Sequence, residues 1–251
     1  MHLSDDGRLS GRVAIVTGAS SGVGRAIATA LSHQGVQLCL IGRDPVSLAE
    51  TRATLEQHTN VSSFEIDLLD ETKFPLLSSH LDAHAQNLDF LIHSAGTIHQ
   101  STMEYARIEE FDRQYATNVR APYLLTQHLM PWIKKASGQI VFINSSMGLT
   151  AKRPEVGQYA ATKHALKAVA DSLREEVNPS GIRVLTLYLG RTATPMQAKL
   201  CMQDKREYHP EKLLQPEDVA SMVVHALMLP RTAEVTDISL RPMIKEHFDL
   251  A

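Results

Sequence analysis

Short apolar runs alternate along the chain with longer segments whose apolar residues recur every three or four positions. Val13 to Val16 is the first run, and it stops at Thr17-Gly18. Ile27, Ala28, Ala30 and Leu31 then recur at helical spacing up to Gly35. A short apolar run bounded by turn residues is the pattern of a strand buried on both faces, and a 3.6-residue period is that of a helix with one buried face. The alternation repeats to the end of the chain. Strands are predicted at 37–41, 61–66, 88–92, 139–143, 183–189 and 235–240, and helices at 72–85, 108–130, 158–177 and from 216. This order predicts one α/β domain over 1–251, a doubly wound parallel sheet of about seven strands with helices on both faces. The stretch 196–214 mixes charged, Met and Tyr residues without a clear period, which predicts a mobile, substrate-binding flap within about 191–215.

Several turns in this frame carry candidate chemistry. The first reads Thr17-Gly18-Ala19-Ser20-Ser21-Gly22-Val23-Gly24 and joins a strand to a helix. Glycines there permit positive φ and close backbone approach, and the N–H groups of the helix start can face a pyrophosphate. A dinucleotide cradle and an ordinary glycine-rich loop both fit; the place of the turn in the first strand-helix unit favours the cradle. The second strand leads into Gly42-Arg43-Asp44-Pro45, where Asp44 is placed to cap the next helix and Pro45 to open it. An acidic side chain at this strand end normally holds the ribose hydroxyls of NAD, whereas an Arg accommodates a 2′-phosphate. Arg43 therefore predicts NADP(H) over NAD(H), and NAD(H) stays open if Asp44 makes the ribose contact. A charge-assisted Arg–phosphate bond, about 1.5–3 kcal/mol, supports a preference of about ten- to a hundredfold. The fourth strand ends in Ser94-Ala95-Gly96, small residues that let backbone lie against a flat ligand.

The predicted helix at 158–177 carries Tyr159 and Lys163 at i and i+4, so both side chains point the same way. A phenol with a pKa near ~10 exchanges protons at neutral pH only if that value falls by about 4 kcal/mol of differential interaction. A fixed ammonium one turn away is a source of much of it. On their own the two residues equally describe a packed ring beside a solvated amine. Ser145 and Ser146 at the end of the preceding strand place a polar group nearby, and Asn118 sits inside a predicted helix, where Asn is unfavourable unless its amide is hydrogen-bonded.

Composition narrows the classes. With 251 residues, 43% of them hydrophobic, the chain can bury a full core. A net charge of -3 gives no basic field for nucleic acid or an anionic membrane. No apolar run approaches a bilayer span, and the lead with Asp5 and Asp6 lacks the apolar core of a signal peptide, so a cytoplasmic location is expected. Cys39 and Cys201 form no disulfide or metal framework. His80 and His84 have a metal-ligand spacing but no further ligands beside them, and no metal is expected.

Taken together these residues resemble the classical short-chain dehydrogenase/reductase family, a Rossmann-like fold, over nearly the whole chain. Thr17-Gly18-x-x-x-Gly22-x-Gly24 matches its glycine motif and Tyr159-x-x-x-Lys163 its catalytic motif. Ser146, thirteen positions before Tyr159, fits its catalytic serine better than the neighbouring Ser145, and Asn118 fits its helix asparagine. The resemblance implies cofactor contacts from Gly18, Ser20, Ser21, Gly22, Val23 and Gly24. It also implies contacts from Asp67 and Leu68 at the adenine, from Ser94 to Gly96, and from Gly190, Thr192 and Thr194 near the nicotinamide. It implies hydride transfer between a nicotinamide and a ketone, aldehyde or alcohol. Tyr159 would be acid or base, Lys163 would lower its pKa and hold ribose hydroxyls, Ser146 would bind the substrate oxygen, and Asn118 would hold a relay water. A dimer or tetramer is implied as well.

The departures from the family pattern are also specific. His93 stands where an Asn is usual and Leu189 where a Pro is usual before Gly190. Ser21 replaces the basic residue that many NADP-dependent members carry, so the NADP reading rests on Arg43. Ile238 to Pro242 lacks the glycine-rich finish of the 3-oxoacyl-carrier reductases. Extended relatives, the sugar epimerases and dehydratases, usually space their first two glycines by two residues, and here there are three. A non-catalytic nucleotide sensor would have no need of Asn118, Ser146, Tyr159 and Lys163 together.

Overall fold

The computed structural model describes residues 9–244, so Asp5 and Asp6 of the polar lead lie outside the described residues. The elements run β1 (Val13–Thr17), α1 (Gly22–His33), β2 (Gln37–Gly42), α2 (Pro45–Leu55), β3 (Val61–Glu65), α3 (Phe74–His84) and β4 (Phe90–His93). They continue with α4 (Ile108–Tyr115), α5 (Ala121–Ala136), β5 (Gln139–Ser145), α6 (Gly157–Val177), β6 (Arg183–Leu189), α7 (Pro195–Gln203), α8 (Pro216–Leu227) and β7 (Asp237–Leu240). Among the described residues seven strands form one parallel sheet in the order β3-β2-β1-β4-β5-β6-β7. This is the Rossmann-like architecture that the alternating pattern predicts.

Strand residues divide between two cores because successive side chains point to opposite faces. Ala14 and Val16 pack with α1 and α8 through Ile27, Leu31 and Val223, whereas Val13 and Ile15 pack with α5 and α6 through Leu125, Leu129 and Leu166. Both faces are covered, which is why the strands read as unbroken apolar runs. Cys39 of β2 is sealed in the second core, where burial pushes its thiol up to about 12, and Cys201 is buried on α7. Both thiols are free.

Two expectations change. The helix expected over 108–130 is broken: between α4 and α5 lies a π-helical segment, Ala116–Arg120, where Ala121 N–H reaches back to the Ala116 carbonyl. Pro122 supplies the cause, because it has no N–H for the carbonyl four residues earlier, that of Asn118, and its ring crowds that position. The stretch expected as a flap without a regular element contains the helix α7. Thr194 caps α7 by accepting the Gln197 N–H at 3.2 Å, and Thr192 bridges Leu214 at the far end of the stretch. No helix among the described residues is long and apolar enough to cross a membrane.

Candidate active site

The strand order reverses between β1 and β4, and in open α/β sheets the crevice at such a switch point, beyond the carboxyl ends of the strands, is where ligands bind. Thr17 closes the crevice floor. Its hydroxyl accepts the Ser94 and Ala95 N–H groups, each at 3.1 Å, and donates to the Ile92 carbonyl at 3.3 Å, tying the end of β1 to the end of β4. A cavity of about 410 Å³ opens above it.

The glycine turn forms one wall. Gly18 has φ +65°, and a Cβ there would lie 2.9 Å from the Ala95 backbone. A Cβ on Gly24 would lie 2.3 Å from the Gly18 carbonyl oxygen, so the turn closes only over a bare Cα. Ser21, the residue before α1, makes no side-chain cap, in contrast to Asp44, whose carboxylate accepts the Ser47 N–H at 2.7 Å at the start of α2. The first N–H groups of α1 are thus left for a ligand, and no acidic side chain in its first turn would repel an anion. The residues fit a pyrophosphate. Arg25, which the sequence reading passed over, donates to the Ser20 carbonyl at 2.6 Å and holds the turn in shape. Ser20, Ser21, Gly22 and Val23 line the cavity, as do Arg43, Asp67 and Leu68 farther along.

Across the crevice Gly190, Thr192 and Thr194 follow β6. The Gly190 N–H donates to the Leu240 carbonyl at 2.7 Å, and the Thr192 hydroxyl donates to the Gly190 carbonyl at 3.0 Å. Thr194 leans on the glycine turn, since a Cβ on Gly22 would come within 3.1 Å of its Cγ2. Leu189, in the usual proline position, ends β6 and lines the cavity beside them.

Tyr159 and Lys163 stand on the first turns of α6 and face the same cavity. The Lys163 Nζ donates to the Ile143 carbonyl at 3.2 Å and lies 5.8 Å from the centre of the Tyr159 ring. Burial pushes the ammonium down to about 8 and the phenol up to about 12, and a hydrogen bond with the Ser145 hydroxyl opposes the second shift. In the chain by itself desolvation outweighs the expected depression of the phenol by Lys163.

Both candidate serines, Ser145 and Ser146, line the cavity, and they differ in what they touch. Ser145, not Ser146, meets the Tyr159 hydroxyl. Ser145 is the last paired residue of β5, opposite Leu189 of β6, whereas Ser146 opens a 3-10 turn, its carbonyl accepting the Leu149 and Thr150 N–H groups. Counting thirteen residues back from Tyr159 measures chain length across a loop; the strand end decides which hydroxyl reaches the phenol. Asn144 sets that end by donating to the Lys163 carbonyl at 3.0 Å and accepting the Ser145 N–H at 2.7 Å.

Asn118 is 1% exposed and fully engaged. Its Oδ1 accepts the Thr97 N–H at 2.8 Å, and its Nδ2 donates to the Thr97 carbonyl at 2.9 Å and the Thr162 hydroxyl at 3.0 Å. Its amide clamps the segment after β4 to α6 through Thr97 and Thr162. His93 is buried with its Nε2 2.8 Å from the Thr126 hydroxyl and its ring stacked on Phe142, and burial pushes its pKa down to about 3. Between about pH 3 and 6.5 the unfolded chain binds a proton here that the folded chain does not, so this group lowers stability as pH falls. The melting temperature is expected to drop from pH 7 to pH 5, and His93→Asn to flatten part of that drop; equal slopes in a pH-dependent thermal scan would refute the assignment.

Apolar cavity walls come from Met147, Val156, Met196 and Leu200, and the cation Arg153 lines the cavity with them. Gln100 lines it as well, as do Arg191 and Ile98, which were not singled out from the sequence. His80 and His84 lie far from it on α3, ring centres 4.7 Å apart, with no third metal ligand near them among the described residues.

The family model for short chain dehydrogenases matches residues 12–205. The chain belongs to that family. This short chain dehydrogenase is 33% identical over 227 residues to a fatty acyl-CoA reductase of Acinetobacter baylyi, covering 88% of this chain and 74% of that protein. Among solved structures it is similar to an alcohol dehydrogenase of the archaeon Thermococcus sibiricus complexed with 5-hydroxy-NADP. There the TM-score is 0.84 and the identity 25%, over 94% of this chain and 98% of the other. It is similar also to a metagenomic short-chain oxidoreductase in complex with NADP, with a TM-score of 0.80 and 26% identity over 95% of this chain and all of the other. The short chain dehydrogenase is thus an oxidoreductase of the kind that interconverts carbonyls and alcohols.

Proposed function

We propose that this enzyme reduces a ketone or aldehyde with NADPH, Tyr159 delivering the proton and Ser145 holding the carbonyl oxygen. The observation that carries this reading is the meeting of Ser145, Tyr159 and Lys163 at the cavity that the glycine turn also lines. A phenol is protonated at neutral pH, the state from which it can give a proton to the developing alkoxide. The Ser145 hydroxyl polarises the carbonyl and stabilises the developing alkoxide. Lys163 and the uncapped start of α1 would hold the cofactor, which supplies the hydride. The Asn118 carbonyl, which Pro122 cannot meet with an N–H, would serve the proton relay.

Support for NADP(H) comes from Arg43, exposed at the end of β2 and lining the cavity. Asp44, the rival for the ribose, is turned to its helix cap, and the Ser47 hydrogen bonds hold its carboxyl below the usual range. NADP in the complexes of the two similar structures agrees with this. Met147, Met196 and Leu200 favour a substrate with apolar surface, in keeping with the fatty acyl relative. Fluorescence titration at moderate salt tests the cofactor: Arg43→Ala should weaken NADPH binding about tenfold or more and leave NADH unchanged. Equal NADH and NADPH affinity in the wild type, unmoved by the substitution, would overturn the NADP reading in favour of NAD. NADPH oxidation across a panel of diketones and aldehydes tests the reaction itself.

A further inference from the structure

We propose that Gln114 is a positioning residue for substrate selection, acting through the backbone of the segment that follows β4; the proposal rests on the reading of the site as a carbonyl reductase. Residues 97–101 are tied down at alternate positions. Thr97 is clamped through both its N–H and its carbonyl by Asn118, at 2.8 and 2.9 Å. His99 N–H donates to Gln114 Oε1 at 2.9 Å, and Ser101 N–H donates to the Glu155 carbonyl at 2.9 Å. Fixing alternate backbone groups against the protein turns the side chains between them the other way, as in any extended chain. Ile98 and Gln100 accordingly line the cavity, joined by Thr97 next to the strand end, whereas His99 and Ser101 do not.

Gln114 is 1% exposed on α4, a costly place for an amide unless both of its ends are used. Its Nε2 donates to Gln158 Oε1 at 3.1 Å, and Gln158 Nε2 donates to the Arg107 carbonyl at 3.2 Å. Gln158 directly precedes Tyr159. Two amides thus join the substrate wall, the start of α4 and the first turn of the helix that presents the phenol. Gln100 Oε1 has no hydrogen-bond partner among the described residues, so its own amide oxygen does not lock its direction. The backbone beneath it does, and the central tether of that backbone is Gln114.

The test compares 2,3-butanedione with 1-phenyl-1,2-propanedione as substrates for NADPH oxidation. In Gln114→Leu the ratio of their kcat/KM values should shift by about tenfold, carried by KM, the scale at which a small change in the shape of a pocket wall discriminates between substrates. NADPH affinity and the pH profile of kcat should stay as in the wild type, because Lys163, Tyr159 and the glycine turn are untouched. Gln114→Glu keeps an acceptor for His99 N–H and should restore most of the ratio. Gln158→Ala should shift it in the same direction by less. An unchanged ratio in a Gln114→Leu protein that still binds NADPH overturns the proposal. So does an equal loss of kcat on both substrates. Should Gln114→Leu fail to bind NADPH, Gln158→Ala decides, and an unchanged ratio there is equally fatal. A wild type that turns over neither diketone nor any other carbonyl sinks the reductase reading, and the proposal with it, while NADPH titration still reports the fold.

Discussion

Tyr159→Phe should lower kcat by about 10²- to 10⁴-fold while leaving NADPH affinity and thermal stability nearly unchanged. The substitution removes one hydroxyl and keeps the ring that Lys163 faces at 5.8 Å. No other proton donor stands ready to replace it: Lys163 Nζ is committed to the Ile143 carbonyl, and Ser145 accepts the Met147 N–H while meeting the phenol. The two serines sharpen the test. Ser145→Ala should cost about 10²-fold or more in kcat through the lost donor to the alkoxide, and Ser146→Ala should stay within a few-fold of the wild type. Steady-state NADPH oxidation on the three variants checks all of this. Retention of most of kcat by Tyr159→Phe would remove the acid from the mechanism, and the reverse order of the two serines would return the role to Ser146.

The second large effect belongs to a methyl group. Gly24→Ala would place its Cβ 2.3 Å from the Gly18 carbonyl oxygen, 2.8 Å from the Gly18 carbonyl carbon and 3.1 Å from the Thr17 carbonyl oxygen. Every one of these neighbours is backbone, so no rotamer can yield and the turn itself must open. Thr17 joins that turn to the end of β4 through Ser94 and Ala95, so the opening spreads across the switch point. Stability should fall by about 1–3 kcal/mol, the usual cost of overpacking. NADPH affinity should fall by about a hundredfold or more as the N–H groups of α1 leave their line on the pyrophosphate. Calorimetry and fluorescence titration measure the two losses, and wild-type values for both would mean that the turn is looser than its geometry.

What the sequence carried and what it withheld divide along physical lines. Strands buried on both faces must be apolar throughout, so Val13 to Val16 and Arg183 to Leu189 were legible as runs, and the sheet followed from their alternation with helices. The glycine turn was legible because few residues other than Gly fit at Gly18 or Gly24. The π segment was not, although Pro122 was its mark, because an apolar period running through 108–130 does not tell whether an interior proline ends the helix or widens one turn of it. Helix α7 was hidden by its mixture of charged and apolar residues, since it covers a cavity and caps itself with Thr194 instead of presenting one broad apolar stripe to a core. The choice between Ser145 and Ser146 needed the last rung of β5, which no spacing along a loop supplies. Gln114 was invisible for a related reason: a buried amide on a helix has meaning only through partners brought in from residues 99 and 158.

The walls of the cavity and its machinery are built from different kinds of chain. Ser145, Lys163 and the glycine turn sit on strand ends and helix starts whose other faces are locked in the core, whereas Ile98, Gln100, Met147, Arg153 and Met196 sit in connections or on a short covering helix. Drift in the second set leaves folding and hydride chemistry nearly untouched. The two parts are therefore separable in principle: exchanging a connection would re-tailor the compound accepted, and the scaffold that carries the reaction would be left standing.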